Sequence, residues 1–363
     1  MKLCLMCGII ILKEKSTKIC TVMCECLKGR AKVLSDVKTC IEVGDKSVSL
    51  IKNFKNWRSD IAIQKGYIET AKKALGIELG TYRVVHNAIK RNGEPRVELR
   101  HADIRAMKAI SSLDLGNAIK NNSLEFVNEL PSEELNSNMY TVSSVISDAY
   151  ARVLFDYVPA DEQGYLKYEG RLIDFPMRMI CDKDKLGTIN IVRDKSIHVV
   201  RDDGIAIVPN WGVIIQRNDR DDDILYPQYD AYTKFIIEDY LMITRIPNFM
   251  NTNALEQNKS IVITGGTHAE GTVAIENLLK DKKLLAKIGK MLCDKKIDED
   301  ILYQRPFGLQ MLFKVKVAYN KNDLSATKAT IKSMDIVGEP IIFNRGKESW
   351  EYALKEFYKI HQM

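Results

Sequence analysis

Closely spaced cysteines near the start of the chain are the first residues whose types and spacing suggest chemistry. Six of the eight cysteines fall within the first forty residues. Cys4 and Cys7 form a Cys-x-x-Cys pair followed by Gly8, and Cys24 and Cys26 form a second, closer pair. Four thiolates on two hairpin tips suit tetrahedral zinc. We therefore predict a zinc site from Cys4, Cys7, Cys24 and Cys26, with buried free cysteines as the alternative.

The same stretch has a second interpretation. Met6-Cys7-Gly8-Ile9 resembles the start of the amidotransferases that use an N-terminal cysteine as nucleophile. Those enzymes need the α-amine of that cysteine, and six residues precede Cys7 here. We therefore do not expect this activity.

A glycine loop between an apolar strand and a helix is the second candidate site. Backbone amides and the helix dipole attract phosphate at such a junction. The spacing Gly266-x4-Gly271-Thr272 is similar to that of a P-loop, although threonine replaces the phosphate-binding lysine. His268 and Glu270 could instead act as a general acid and base. The predicted ligand-binding residues are Gly265, Gly266, His268, Glu270, Gly271 and Thr272. The alternative is a tight connection without a ligand.

A glycine corner in the first third of the chain suggests nucleic-acid binding. Residues 75–83 read Leu-Gly-Ile-Glu-Leu-Gly-Thr-Tyr-Arg, in which Gly76 can end one helix and Thr81 can cap the next. Residues 66–91 resemble a helix-turn-helix DNA-binding segment, and this resemblance implies contacts to DNA from the second helix and its flanks. An ordinary helical hairpin is the alternative. The predicted nucleic-acid-binding residues are Lys72, Lys73, Arg83, Asn87, Lys90, Arg91, Arg96 and Arg100.

The charge distribution is consistent with a polyanionic partner for the same part of the chain. Residues 1–130 hold 23 Lys and Arg against 14 Asp and Glu, a net charge of +9. The remaining 233 residues hold 31 against 34, a net charge of −3. A basic third beside a near-neutral remainder is typical of proteins in which one unit meets nucleic acid, and a solvated basic face is the alternative.

The elements that must position these residues indicate an α+β or mixed α/β fold with more than one unit. We predict a small β-unit at 1–56, read as a β-meander, a helical basic unit at 57–130 and a mixed α/β domain at 131–363. Within the last domain the pattern predicts a helix through Tyr229 to Ile243, a strand at Ser260 to Thr264 and a helix over about 272–292. A hairpin and a final helix carrying Trp350 and Phe357 follow.

Composition limits the compartment and the partners. The longest apolar run, Leu3 to Leu12, is too short for a membrane span, so we expect no membrane insertion and a buried first strand. The cysteine clustering favours a reducing, cytoplasmic-type compartment, with a virion as the alternative. We predict nucleic acid as a partner, together with a second copy of the chain or an assembly partner.

The leading prediction is a non-enzymatic nucleic-acid-binding protein with a C-terminal assembly or partner-binding domain. One alternative is an enzyme that uses a nucleotide or phosphate ligand at the 265–272 loop. Another alternative is a structural or assembly protein of a virus or mobile element, for which no catalytic motif is expected. Fold class alone does not choose among the three.

Overall fold

The computed structural model forms two compact units, residues 1–63 and 64–363. Within them it describes a defined set of segments: 2–3, 10–11, 61–76, 82–85, 101–111, 135–142, 145, 149–159, 166–190, 205–217, 221–232, 235–297, 301–302, 306–319 and 329–361. In the first unit, strands β1 (Lys2–Leu3) and β2 (Ile10–Ile11) pair antiparallel. These strands lie at the two ends of the apolar run Leu3 to Leu12, so the single first strand predicted there is wrong, because the ends of the run pair with each other. The other predicted strands of the β-meander and all four predicted zinc ligands lie outside the described residues.

The second unit contains both helices and sheets. The helices named below are α1 (61–74), α2 (His101–Ser111), α3 (Ala149–Leu154), α4 (Thr252–Glu256), α5 (Ala269–Val273), α6 (Ile275–Lys280), α7 (Lys282–Asp294) and α8 (Lys347–His361). The strands are β3 (Tyr82–Val85), β4 (Asn138–Val142), β5 (Tyr157–Pro159), β6 (Leu166–Tyr168), β7 (Met177–Asn190), β8 (Ile205–Ile215), β9 (Asp223–Leu225), β10 (Gln228–Tyr229), β11 (Ile236–Pro247), β12 (Ser260–Gly266), β13 (Gly308–Ala318), β14 (Thr330–Ile336) and β15 (Ile341–Phe343). No helix within these segments is long and apolar enough to cross a bilayer.

A mixed central sheet organises the second unit. Its strand order is β14-β13-β11-β12-β4-β3, with β10 pairing with β11 and β15 with β13. The strands from β14 to β12 are antiparallel, whereas β12, β4 and β3 run parallel. The carboxyl ends of β3, β4 and β12 therefore lie at one edge, where β11 begins and β13 ends. This edge positions the glycine loop.

The inner strands β11 and β12 are buried on both faces, because alternate residues of β11 enter different cores. Leu241 and Ile243 of β11 belong to one core with residues of α1, α2, α6 and α7. Tyr240 and Met242 belong to a second core with residues of α3, β7, β8 and α8. The structure thus has the α+β composition that the sequence predicted.

A buried glutamine ties the central sheet to the three-stranded sheet β7-β8-β9. Gln310 Oε1 accepts a hydrogen bond from Met177 N at 2.8 Å, and its Nε2 donates to Met177 O at 2.8 Å. The same Nε2 donates to Thr244 Oγ1 at 3.0 Å. Since Gln310 is fully buried, these bonds satisfy an amide that would otherwise be costly to bury.

Several predicted elements are present at their predicted places. Strand β12 covers the predicted strand at Ser260, and β13 and β14 pair antiparallel as the predicted hairpin. Helix α8 buries Trp350 and Phe357 on one face, as its amphipathic pattern predicted. The helix predicted over about 272–292 is divided into α5, α6 and α7, and Asp281 caps α7 by accepting from Lys283 N and Leu284 N at 3.0 Å each.

The prediction of a helix through Tyr229 to Ile243 is wrong. Tyr229 lies in β10, and the residues from Ile236 to Ile243 lie in the long strand β11. Strand β11 lies inside the sheet with both faces covered, so its apolar residues form a nearly continuous run instead of alternating with polar ones. A continuous run matches a helical pattern as well as a strand pattern.

The prediction that residues 82–85 belong to the second helix of a helix-turn-helix is also wrong. These residues form β3, which pairs parallel with β4 from Tyr82 opposite Asn138 to Val85 opposite Thr141. Two adjacent valines favour a strand, and pairing with β4 supplies the backbone hydrogen bonds. Gly76 does follow α1 with a φ of +67°, as the predicted corner requires. Since β3 and β4 share one sheet, the predicted boundary at 130 divides a single unit.

Candidate functional site

The glycine loop is held against β11 by one buried carboxylate. Asp239 is fully buried, and its Oδ2 accepts a hydrogen bond from Gly271 N at 2.5 Å. Its Oδ1 accepts from Tyr240 N at 2.8 Å and from the Thr267 hydroxyl. Thr267 N in turn donates to Tyr240 O at 3.0 Å. Asp239 thereby fixes both ends of the turn that leads from β12 into α5.

Glycines allow this close approach between the loop and the sheet. A Cβ atom on Gly271 would lie 2.9 Å from Tyr240 C and nearer still to the Tyr240 carbonyl oxygen. A Cβ atom on Gly266 would lie 2.6 Å from Gly271 C and nearer to Thr272 N. Both glycines therefore serve backbone proximity, as the sequence predicted for a tight connection.

The loop amides mostly bind within the protein. Gly266 N donates to Thr272 Oγ1 at 2.9 Å, and Thr272 N donates to His268 O at 3.3 Å. The amides of Thr267 and Gly271 are also used, as described above. A phosphate cradle needs free amides and no nearby carboxylate. The geometry of this loop favours the predicted acid–base chemistry over the predicted phosphate binding.

His268 connects the buried carboxylate to a tyrosine that reaches the surface. Its side chain is only 9% exposed, and its Nδ1 lies 3.8 Å from Asp239 Oδ1. Nε2 lies 3.2 Å from the hydroxyl of the half-exposed Tyr229. That hydroxyl also donates to Asn210 Oδ1 at 3.1 Å. Among the described residues, Nδ1 of His268 has no hydrogen-bond partner. The imidazole thus has one nitrogen near a carboxylate and one in contact with a phenol.

Glu270 is a second buried carboxyl group on the same loop. Its Oε1 accepts a hydrogen bond from the Tyr319 hydroxyl at 3.0 Å, and the Tyr319 ring stacks on Phe235 at 4.7 Å. Burial, followed by the negative charge of Asp239, raises the pKa of Glu270. Burial and the neighbouring Glu270 carboxyl likewise raise the pKa of Tyr319. Both groups therefore keep their protons to a higher pH than they would in water.

Sheet topology brings these residues together from distant parts of the chain. Asp239 opposes Val315 near the start of β11, and Leu241 opposes Gly266 at the end of β12. Tyr319 directly follows β13, which runs antiparallel to β11. The group of Tyr229, Asp239, His268, Glu270 and Tyr319 is called the strand-end cluster below. Crevices at the carboxyl ends of parallel strands are the usual ligand sites of open sheets.

The structure places the predicted site residues in different ways. All six predicted loop residues lie at the strand-end cluster. Of the predicted nucleic-acid-binding residues, Lys72 lies on α1 and pairs with Glu69 at 3.2 Å, Lys73 lies on the same helix and Arg83 lies in β3. Asn87, Lys90, Arg91, Arg96 and Arg100 are outside the described residues. The described residues contain no group of three or more potential metal ligands.

Sequence reasoning missed Asp239, Tyr229 and Tyr319. The signal for Asp239 was present, since Glu238 and Asp239 interrupt an otherwise apolar run from Ile236 to Ile243. A carboxylate in such a run is rarely buried without a partner or a function. The interpretation of the run as an amphipathic helix used only its apolar residues, so this signal was missed.

Comparisons of the chain with protein-family models, with curated proteins and with solved structures gave no match.

Proposed function

We propose that the chain is an enzyme that transfers protons at a small-molecule substrate bound beside the 265–272 loop. The observation that supports this proposal is the burial of the His268 imidazole and the Glu270 carboxyl beside Asp239 at the strand ends. Titratable groups whose environments shift their pKa values are concentrated at functional sites. The nucleotide or phosphate ligand predicted from the sequence remains one substrate class for this centre.

Within the strand-end cluster, His268 suits the role of a general base and Glu270 that of a general acid. His268 Nε2 can accept the proton of the Tyr229 hydroxyl while that oxygen takes a proton from the substrate, and the adjacent Asp239 carboxylate would stabilise the positive charge that forms. Glu270, which stays protonated to a higher pH, can donate a proton to the substrate. Tyr229 contacts Nε2 and is half exposed, so it can return the proton from His268 to solvent.

The test is a turnover screen with matched variants. The full chain is incubated with ATP, GTP, NAD, aryl esters and aryl phosphates, and product formation is followed. Wild type should turn over at least one compound, and His268→Gln and Glu270→Gln should lower that rate by about a hundredfold or more, the usual contribution of a general acid or base. Asp174→Asn, at an exposed carboxylate, is the control and should keep the wild-type rate.

Turnover of none of these compounds would refute the proposal, as would wild-type rates in both variants. Melting temperatures identify any variant that fails to fold. In that case Tyr229→Phe replaces it, because this phenol is half exposed and its loss leaves the loop contacts of Asp239 intact.

Nucleic-acid binding is a second candidate function, supported by the net charge of +9 over residues 1–130. Binding should weaken linearly with the logarithm of salt concentration, with about one unit of slope for each phosphate neutralised. Mobility shift with duplex DNA, single-stranded DNA and RNA across a salt series measures this. If replacing Lys72, Lys73, Arg83 and Lys90 by glutamine in the full chain leaves binding and its salt dependence unchanged, this assignment is wrong.

A further inference from the structure

A cleft separate from the strand-end cluster lies where the turn between β14 and β15 meets the end of β8. It has a volume of about 610 Å³, within the usual range for small-molecule sites. Its apolar lining includes Met177 and Ile215. Three cationic side chains from distant segments, Arg217, Lys295 and Arg345, also line it.

These three cations differ in how fully they are paired. Arg345 is exposed and makes no ion pair among the described residues. Arg217 binds Asp223 Oδ2 through Nε and Nη2, at 2.9 Å and 2.7 Å, which leaves its Nη1 group available. Lys295 pairs with Glu339 at 2.7 Å. The Glu339 side chain is 71% exposed, so solvent screens this pair and the carboxylate can move away.

We propose that this cleft binds a phosphate monoester that carries an apolar group. Three cations that line one cleft can together contact the terminal oxygens of a phosphoryl group, and the arginine forks suit its geometry. The partly exposed side chains of Val337 and Ile341, which also line the cleft, offer a surface for the apolar part of the ligand. Glu339 competes with the ligand for Lys295, so a bound anion must displace the Glu339 carboxylate from this lysine.

Calorimetric titration of the full chain with phenyl phosphate tests the proposal. Phenyl phosphate should bind about tenfold more tightly than inorganic phosphate, because its ring removes apolar surface from water. Arg345→Gln and Lys295→Gln should each weaken binding by about tenfold, and Glu339→Gln should tighten it several-fold, roughly the effect of gaining or losing one charge-assisted hydrogen bond. Lys347→Gln, at an exposed lysine paired with Glu351, is the matched control and should change nothing.

Absence of heat with phenyl phosphate at millimolar concentration would overturn the proposal. Unchanged affinity in Arg345→Gln and Lys295→Gln would also overturn it, and equal affinity for inorganic phosphate would refute the apolar part of the ligand. The variant residues are partly or fully exposed, so their folding is checked by melting temperature alone. Arg345 and Lys295 lie outside the strand-end cluster, so a loss of affinity in their variants is distinct from any effect on the proposed enzyme activity.

Discussion

Replacing Asp239 by asparagine should detach the glycine loop from β11. The carboxylate accepts from Gly271 N, Tyr240 N and the Thr267 hydroxyl, whereas an amide offers only one acceptor atom. With its NH₂ group toward Gly271, the amide faces another donor. In the flipped orientation it faces Tyr240 N, so neither orientation satisfies the site.

The expected cost follows from these contacts. A hydrogen bond to a charged group contributes about 1.5–3 kcal/mol, and a buried donor left without a partner costs roughly 1–3 kcal/mol more. Asp239→Asn should therefore lower the free energy of unfolding by roughly 3–5 kcal/mol. Urea denaturation monitored by circular dichroism measures this. Asp174→Asn, at a 74% exposed side chain, should change stability by less than about 0.5 kcal/mol.

A loss of under about 1 kcal/mol in Asp239→Asn would refute the reasoning, since one charge-assisted bond alone exceeds that value. Loss of the same size in Asp174→Asn would show that the effect is a general consequence of removing a carboxylate. Thr267→Val gives an intermediate case. It removes one of the three donors to the carboxylate and should cost about 1.5–3 kcal/mol.

Further predictions concern other contacts of the same unit. Because the pKa of Glu270 is raised, the folded state holds a proton that the unfolded chain releases above about pH 4.5. Between that pH and the folded pKa of Glu270, wild type should lose stability relative to Glu270→Gln by about 1.4 kcal/mol for each pH unit. Parallel curves of stability against pH for the two proteins would contradict this. Gly271→Ala should lower the free energy of unfolding by roughly 1–3 kcal/mol, because the new Cβ atom meets the Tyr240 backbone. Gly346→Ala is the control and should be nearly neutral, because a Cβ atom there enters open space. Equal chemical denaturation midpoints for the two variants would count against the packing argument. Gln310→Leu should lower the free energy of unfolding by roughly 2–4 kcal/mol, because it leaves the Met177 amide and carbonyl unpaired. Gln216→Leu, at a solvent-exposed contact, is the control. Equal effects of the two substitutions in urea denaturation would exclude the proposed tie between the sheets.

The sequence predicted elements whose pattern is local. Strand β12 is a short apolar run that ends in two glycines, and α8 repeats its apolar residues with helical period. Strand β11 was predicted as a helix, because its burial on both faces removes the alternation of apolar and polar residues that marks a strand. Strand β3 was not predicted, because it has only four residues and follows a glycine corner. These residues carry little information about pairing with β4, which lies about fifty residues later.

The candidate site was predicted in part for the same reason. Gly266, His268 and Glu270 are neighbours in sequence, so the loop could be recognised from spacing. Asp239 lies about thirty residues before the loop, and Tyr319 lies about fifty residues after it. Only the register of β11 with β12 and β13 brings them to the loop, and that register is a property of the folded sheet.

The pH dependence of turnover by wild type and Glu270→Gln tests the central claim most directly. Glu270 must be protonated to donate, so the wild-type rate should fall as pH rises through its raised pKa. Glu270→Gln should be slower by about a hundredfold and should lack this fall. A Glu270→Gln variant with the wild-type rate and the wild-type pH profile would show that the strand-end cluster transfers no proton to the substrate.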